Sequence, residues 1–103
     1  MSLPVRTTPE ADAQILEIDS WWRRNRHASP NLLADELAAS FNILGQAPNI
    51  GRLYRLSPAP DTRRVLLKGT RYHVYYVPLA DKVRVLAGWH ARRTTTAGGS
   101  AAR

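Results

Sequence analysis

Arg63-Arg64-Val65-Leu66-Leu67-Lys68-Gly69-Thr70-Arg71-Tyr72-His73-Val74-Tyr75-Tyr76-Val77, followed at once by Pro78-Leu79-Ala80-Asp81 and Lys82-Val83-Arg84-Val85-Leu86-Ala87-Gly88-Trp89, is the stretch that decides the fold. It contains three runs rich in β-branched and aromatic residues: Thr62 to Leu67, Arg71 to Val77 and Lys82 to Trp89. Such runs favour a pleated, half-buried surface. The links between them, Lys68-Gly69-Thr70 and Leu79-Ala80-Asp81, are too short for a crossover, so the runs predict an antiparallel meander. Side chains alternate across a strand. In the last run that alternation assigns Val83, Val85, Ala87 and Trp89 to the core face and Arg84, Leu86, Gly88 and His90 to an open face.

Upstream, the period changes from two to that of a helix. Thr8-Pro9-Glu10 is an entry signal: a capping hydroxyl, a proline suited to the first turn, and an acid that complements the helix dipole. Ala11, Ile15, Ile18 and Trp22 then form one apolar stripe, which predicts a helix to about Arg26. Ser29-Pro30 repeats the entry, Leu33, Leu37, Phe41 and Leu44 form a second stripe, and Gly45 and Pro48 mark its end. Two helices with so short a link predict an antiparallel hairpin, with Trp21, Trp22 and Phe41 as packing residues. Val5-Arg6-Thr7 is a short extended start, and residues 48–61 form an irregular loop rich in Pro, Gly and Ser. The expected fold is α+β: a short N-terminal strand and an antiparallel helical hairpin on one face of an antiparallel β-sheet. Tyr72, Tyr75 and Tyr76 are read as sheet packing. The expected division is a single domain over residues 1–93 and a small, polar, disordered tail over 94–103.

Composition narrows the function classes. The chain has 103 residues, enough for one modest core. It has no cysteine, which excludes a disulfide framework, a thiolate zinc site and a cysteine nucleophile. No apolar run approaches the ~18 residues of a membrane span, and no secretion signal is visible. The expected location is the cytoplasm, with no membrane partner. His27, His73 and His90 are far apart and have no clustered acids, so no metal site and no cofactor is expected. The net charge is +7 and lies unevenly. Residues 1–50 hold four arginines against six acids, whereas residues 51–103 hold eleven basic residues against Asp61 and Asp81. A half so basic predicts a polyanionic partner, nucleic acid or an acidic protein segment.

The order of elements and the text of five segments resemble the RelE/ParE toxin family. These are Val5 to Ala11, Pro48-Asn49-Ile50-Gly51-Arg52, Arg63 to Leu67, Tyr72 to Val77, and Val83 to Arg93. The Gly51-Arg52 stretch and the ending Trp89-His90-Ala91-Arg92-Arg93 are closer to ParE-like members. The resemblance implies a toxin whose partner is a cognate antitoxin with a flexible segment that wraps and blocks it. It implies two modes of action: ParE-like members poison DNA gyrase, and RelE-like members cut mRNA on the ribosome. For the first mode, Arg63, Arg64, Arg84, His90, Arg92 and Arg93 are the expected target- or antitoxin-binding residues. For the second, a metal-independent endoribonuclease needs a proton acceptor, a proton donor and cations around the phosphate. Lys68, Arg71, Arg84 and His90 would supply that set. No acid lies within the predicted sheet and no tyrosine follows its last strand, so the set is incomplete and the gyrase mode is the expectation.

Overall fold

Thr8 caps the first helix as the sequence predicts: its hydroxyl accepts the Ala11 backbone N–H at 3.1 Å. In the computed structural model, which describes residues 2–90, β1 (Val5–Thr7) leads into α1 (Pro9–Asn25) and then α2 (Leu32–Gln46). Four strands follow: β2 (Arg52–Leu53), β3 (Arg63–Leu66), β4 (Tyr72–Pro78) and β5 (Val83–His90). The expected tail over 94–103 lies outside the described residues.

The sheet order is β1-β5-β4-β3-β2. β3, β4 and β5 form the expected antiparallel meander. β1 lies parallel to β5, with Val5, Arg6 and Thr7 in register with Val83, Arg84 and Val85, so the sheet is mixed. Parallel neighbours need a long crossover, and here the helical hairpin and the meander supply it. The two helices pack on one sheet face and complete the α+β layers. The core holds Ala11, Trp22, Leu33 and Leu44 from the helices and Val74, Tyr76, Val83 and Val85 from the sheet.

Three local readings differ from the sequence expectation. α2 begins at Leu32, because Asn31 occupies the cap position and Pro30 lies in the preceding turn. Gly45 lies inside α2 and does not end it. A Cβ there would stand 2.7 Å from the Leu3 carbonyl oxygen, and Leu3 N–H donates to the Gly45 carbonyl at 2.8 Å. Gly45 is thus required by the close approach of the N-terminal segment. Within the expected loop, Arg52 and Leu53 pair with Arg64 and Arg63 as the edge strand β2.

The largest correction concerns β5. Tyr76 is in register with Val85, but Tyr75 is in register with Ala87, so Leu86 is an extra residue opposite β4. This β-bulge reverses the alternation that follows it. Positions 84 and 90 therefore do not share a face by simple alternation. Trp89 is in register with His73, and His90 with Tyr72. The assignment of Ala87 and Trp89 to the core parity, and of Gly88 and His90 to the open parity, is corrected accordingly.

Candidate functional site: the open face of the sheet

β4 sorts its side chains as a half-buried strand must. Tyr72, Val74 and Tyr76 are buried in the core under the helices. His73, Tyr75 and Val77 therefore take the opposite face. Register brings Arg64 beside Tyr75, Leu66 beside His73, and Arg84 beside Val77. Arg52 continues the row from Arg64, and Arg6 stands beside Arg84. Among these positions there is no Asp or Glu, so the face carries cations without a carboxylate among them.

At its centre is a ring cluster. The Tyr54 and Tyr75 rings are tilted with centroids 4.9 Å apart, and the Arg64 guanidinium carbon lies 5.0 Å from the Tyr54 centroid. That is cation–π distance. The His73 ring meets Tyr75 edge-on at 6.1 Å. Burial, together with the positive charges of Arg64 and Arg71, holds the His73 imidazole below its ordinary value. The ring is thus neutral at pH 7, and its buried Nδ1 has no hydrogen-bond partner. Burial also pushes the Tyr75 hydroxyl up; the nearby Tyr54 acts in the same direction, and a hydrogen bond with Arg64 opposes both. Tyr75 therefore stays protonated. The face can bind an anionic or aromatic surface, and its one group able to take a proton near neutrality is His73.

The expected site residues divide between this face and other places. Arg64 belongs to the ring cluster. Arg84 is exposed on the same face, but at the far end. Arg71 is near enough to His73 to act on its charge. Lys68 and Arg71 belong to the β3–β4 turn beyond Leu66, whereas Arg84 is level with Val77, roughly 16 Å further along β4 at ~3.3 Å per residue. Lys68, Arg71 and Arg84 therefore do not converge on one reacting atom. Arg63 has a different duty: its guanidinium donates to the Gly51 carbonyl at 2.7 Å and the Asn49 carbonyl at 3.2 Å. It fixes the Pro48–Arg52 stretch from the helix side of the sheet. The backbone of His90 ends β5 opposite Tyr72. Arg92 and Arg93 lie outside the described residues.

Sequence reading missed Tyr54, which falls in a segment read as loop, and gave His73 no role beyond the metal question. The alternation of Tyr72-His73-Val74-Tyr75-Tyr76 holds the signal for His73 and Tyr75. Nothing local to Tyr54 signals its place, because only the β2–β3 pairing brings it over Tyr75.

The Tyr76 hydroxyl explains the Gly51-Arg52 stretch. It donates to the Pro48 carbonyl at 2.7 Å and accepts the Gly51 N–H at 2.9 Å. A Cβ on Gly51 would stand 2.6 Å from that hydroxyl and 2.8 Å from the Arg64 carbonyl. This part of the resemblance is thus structural: it fastens the entry to β2.

Two helices on a five-stranded mixed sheet, with a cationic open face, define an RelE/ParE-like α+β domain. The family model described as "ParE toxin of type II toxin-antitoxin system, parDE" matches residues 5–95. The chain belongs to that family and is a ParE-type toxin of a toxin–antitoxin system. Among solved structures it is similar to one described as the chromosomal ParDE toxin–antitoxin system from P. aeruginosa. The TM-score is 0.67 and the identity 18%, over 86% of this chain and 96% of the other. It is also similar to an E. coli RelE double mutant in complex with a RelBc antitoxin peptide. There the TM-score is 0.57 and the identity 18%, over 100% of this chain and 98% of the other. At that identity these likenesses speak for the fold. No curated relative matches the sequence.

Proposed function

We propose that the protein inhibits growth by binding and poisoning DNA gyrase, and that a cognate antitoxin neutralises it. The observation that carries this reading is the ParE match over residues 5–95. The site chemistry supports it. Arg64 and Arg84 present charge to a partner, whereas the cations named for RNA cleavage are spread along the sheet with no carboxylate beside them. Protein recognition needs no matched proton donor and acceptor, and arginine is favoured at interface hot spots. The action is cytoplasmic, because gyrase is there. No helix among the described residues is long and apolar enough to cross a membrane.

Ribosome-dependent mRNA cleavage is the second reading, and one observation favours it: the neutral His73 imidazole between Arg64 and Arg71. Such a group could take a proton from a 2′-hydroxyl while the arginines face the phosphate. Both activities are to be measured on one preparation, with Arg84→Ala and His73→Ala alongside. The gyrase reading expects inhibited supercoiling by the wild type, weakened roughly tenfold in Arg84→Ala and retained in His73→Ala, with intact mRNA in translating ribosomes. Codon-dependent mRNA cleavage that disappears in His73→Ala, with supercoiling unaffected, reverses the order of the two readings.

A further inference from the structure

A second surface lies on the other side of the molecule from the ring cluster. The C-terminal half of α1 and the β3–β4 turn enclose an open groove of about 790 Å³. Its floor is apolar: Ile18, Trp21, Trp22 and Tyr72. Trp22 is buried, with its indole N–H given to the Ser29 carbonyl at 2.7 Å. Trp21, expected from sequence to pack in the hairpin, is 41% exposed. The rim is cationic, formed by Arg24, Arg26 and Arg71 with Glu17 as the acid among the lining residues. The groove wall is held in place from α2. The Glu36 carboxylate accepts the Gly69 N–H at 2.7 Å, the Thr70 N–H at 2.9 Å and the Thr70 hydroxyl at 2.8 Å.

Three features determine what fits there. First, the rim charge is uncompensated: among the described residues the one ion pair is Arg23 with Asp19, and Arg24 instead donates to the Ser20 hydroxyl. Second, the Arg26 guanidinium lies 5.6 Å from the Trp21 ring centroid and 5.7 Å from that of Trp22. It occupies ring faces on which a nucleic-acid base would stack, while leaving apolar floor for aliphatic side chains. Third, β5 ends opposite Tyr72, so the chain leaves the sheet beside the groove. The sequence that follows, residues 91–103, has three arginines and otherwise nothing larger than threonine. It matches neither the apolar floor nor the positive rim.

We infer that this groove docks an acidic, leucine-bearing amphipathic segment of a partner protein, with its apolar side chains on Ile18, Trp21 and Tyr72 and its carboxylates against Arg24, Arg26 and Arg71. Helix-in-groove recognition uses this division of labour between anchors and rim charges. The surface is separate from the open sheet face on which the gyrase reading rests. Its test reads binding, so either can fail without the other.

The probe is a fluorescein-labelled 15-residue helical peptide with leucines at i, i+3, i+4 and i+7 and glutamates elsewhere, titrated by anisotropy into the full chain. Binding is expected, weakening as salt is raised. Trp21→Ala and, separately, Arg24→Glu should each weaken it by about tenfold. Arg55→Glu, an equal charge change on an exposed loop outside the groove, should have little effect. Circular dichroism checks that each variant folds, and Arg24 is exposed enough to be changed without touching the core. Equal losses in Arg24→Glu and Arg55→Glu would reduce the binding to bulk charge and overturn the proposal. So would tighter binding of an oligothymidylate with the same dependence on Trp21, which would give the groove to nucleic acid. Tighter binding of a labelled peptide of residues 91–103, again dependent on Trp21, would give it to the chain's own tail and also overturn the proposal.

Discussion

The two faces of the sheet are made by the same strands and differ by a single step in the alternation. On the helix face, Tyr76 is fully buried and both hydrogen-bonding capacities of its hydroxyl are used by residues 48–51. On the open face, the neighbouring Tyr75 is also largely buried, but beneath Tyr54 and Arg64, groups that can move away. One phenol is a fastening inside a dry core. The other is part of a surface that faces a partner. The difference teaches that side-chain type does not assign role here. A buried donor or acceptor left unpaired in the core costs its full desolvation, whereas on the open face water replaces the lost partner.

The contrast predicts a descending series of effects. The largest is at Gly51, where an added Cβ meets the Tyr76 hydroxyl and the β3 backbone together. Gly51→Ala is expected to destabilise the fold by about 3 kcal/mol, since neither neighbour is the far end of a flexible chain. Chemical denaturation measures it, and a change under 1 kcal/mol would show that the Pro48–Arg52 stretch is not tightly fixed.

Next comes the tyrosine pair. Tyr76→Phe leaves the buried Gly51 N–H and Pro48 carbonyl without their shared partner and should cost about 2 kcal/mol. Tyr75→Phe should cost roughly 0.5 kcal/mol, because Arg64 can turn to water. Equal costs in denaturant melts would erase the distinction between the faces.

The smallest effect concerns pH. Burial first, then Arg64 and Arg71, lowers the His73 value in the folded chain. Below the ordinary histidine value of 6.5 the unfolded chain therefore binds a proton that the folded chain refuses. The His73 contribution to stability is present in full above that pH and is lost as pH falls through the window towards the lowered folded value. His73→Gln should flatten this part of the stability–pH curve. A wild-type curve that rises on acidification through the same window would contradict the assigned environment, as would an unchanged slope in the variant.

Much of the fold was legible in local sequence because its signals are local. Thr8-Pro9-Glu10 sets the start of α1, the stripe from Ala11 to Trp22 sets its buried side, and the alternation of Tyr72 to Tyr76 separates core from open face. The uneven charge likewise announced a basic surface. What only the tertiary structure decided depends on pairing between distant residues. β1 is inserted parallel to β5 because the helical hairpin carries the chain across the sheet. Tyr54 reaches Tyr75 because β2 pairs with β3. Leu86 bulges because Tyr75 and Tyr76 take Ala87 and Val85 as partners, and no residue near Leu86 announces it. That one extra residue shifts the parity of everything after it, so alternation counted along β5 alone could not place His90. Likewise the exposure of Trp21, and the cationic groove around it, arise from how α1 meets the turn that Glu36 holds. The spacing of a single helix cannot express that arrangement.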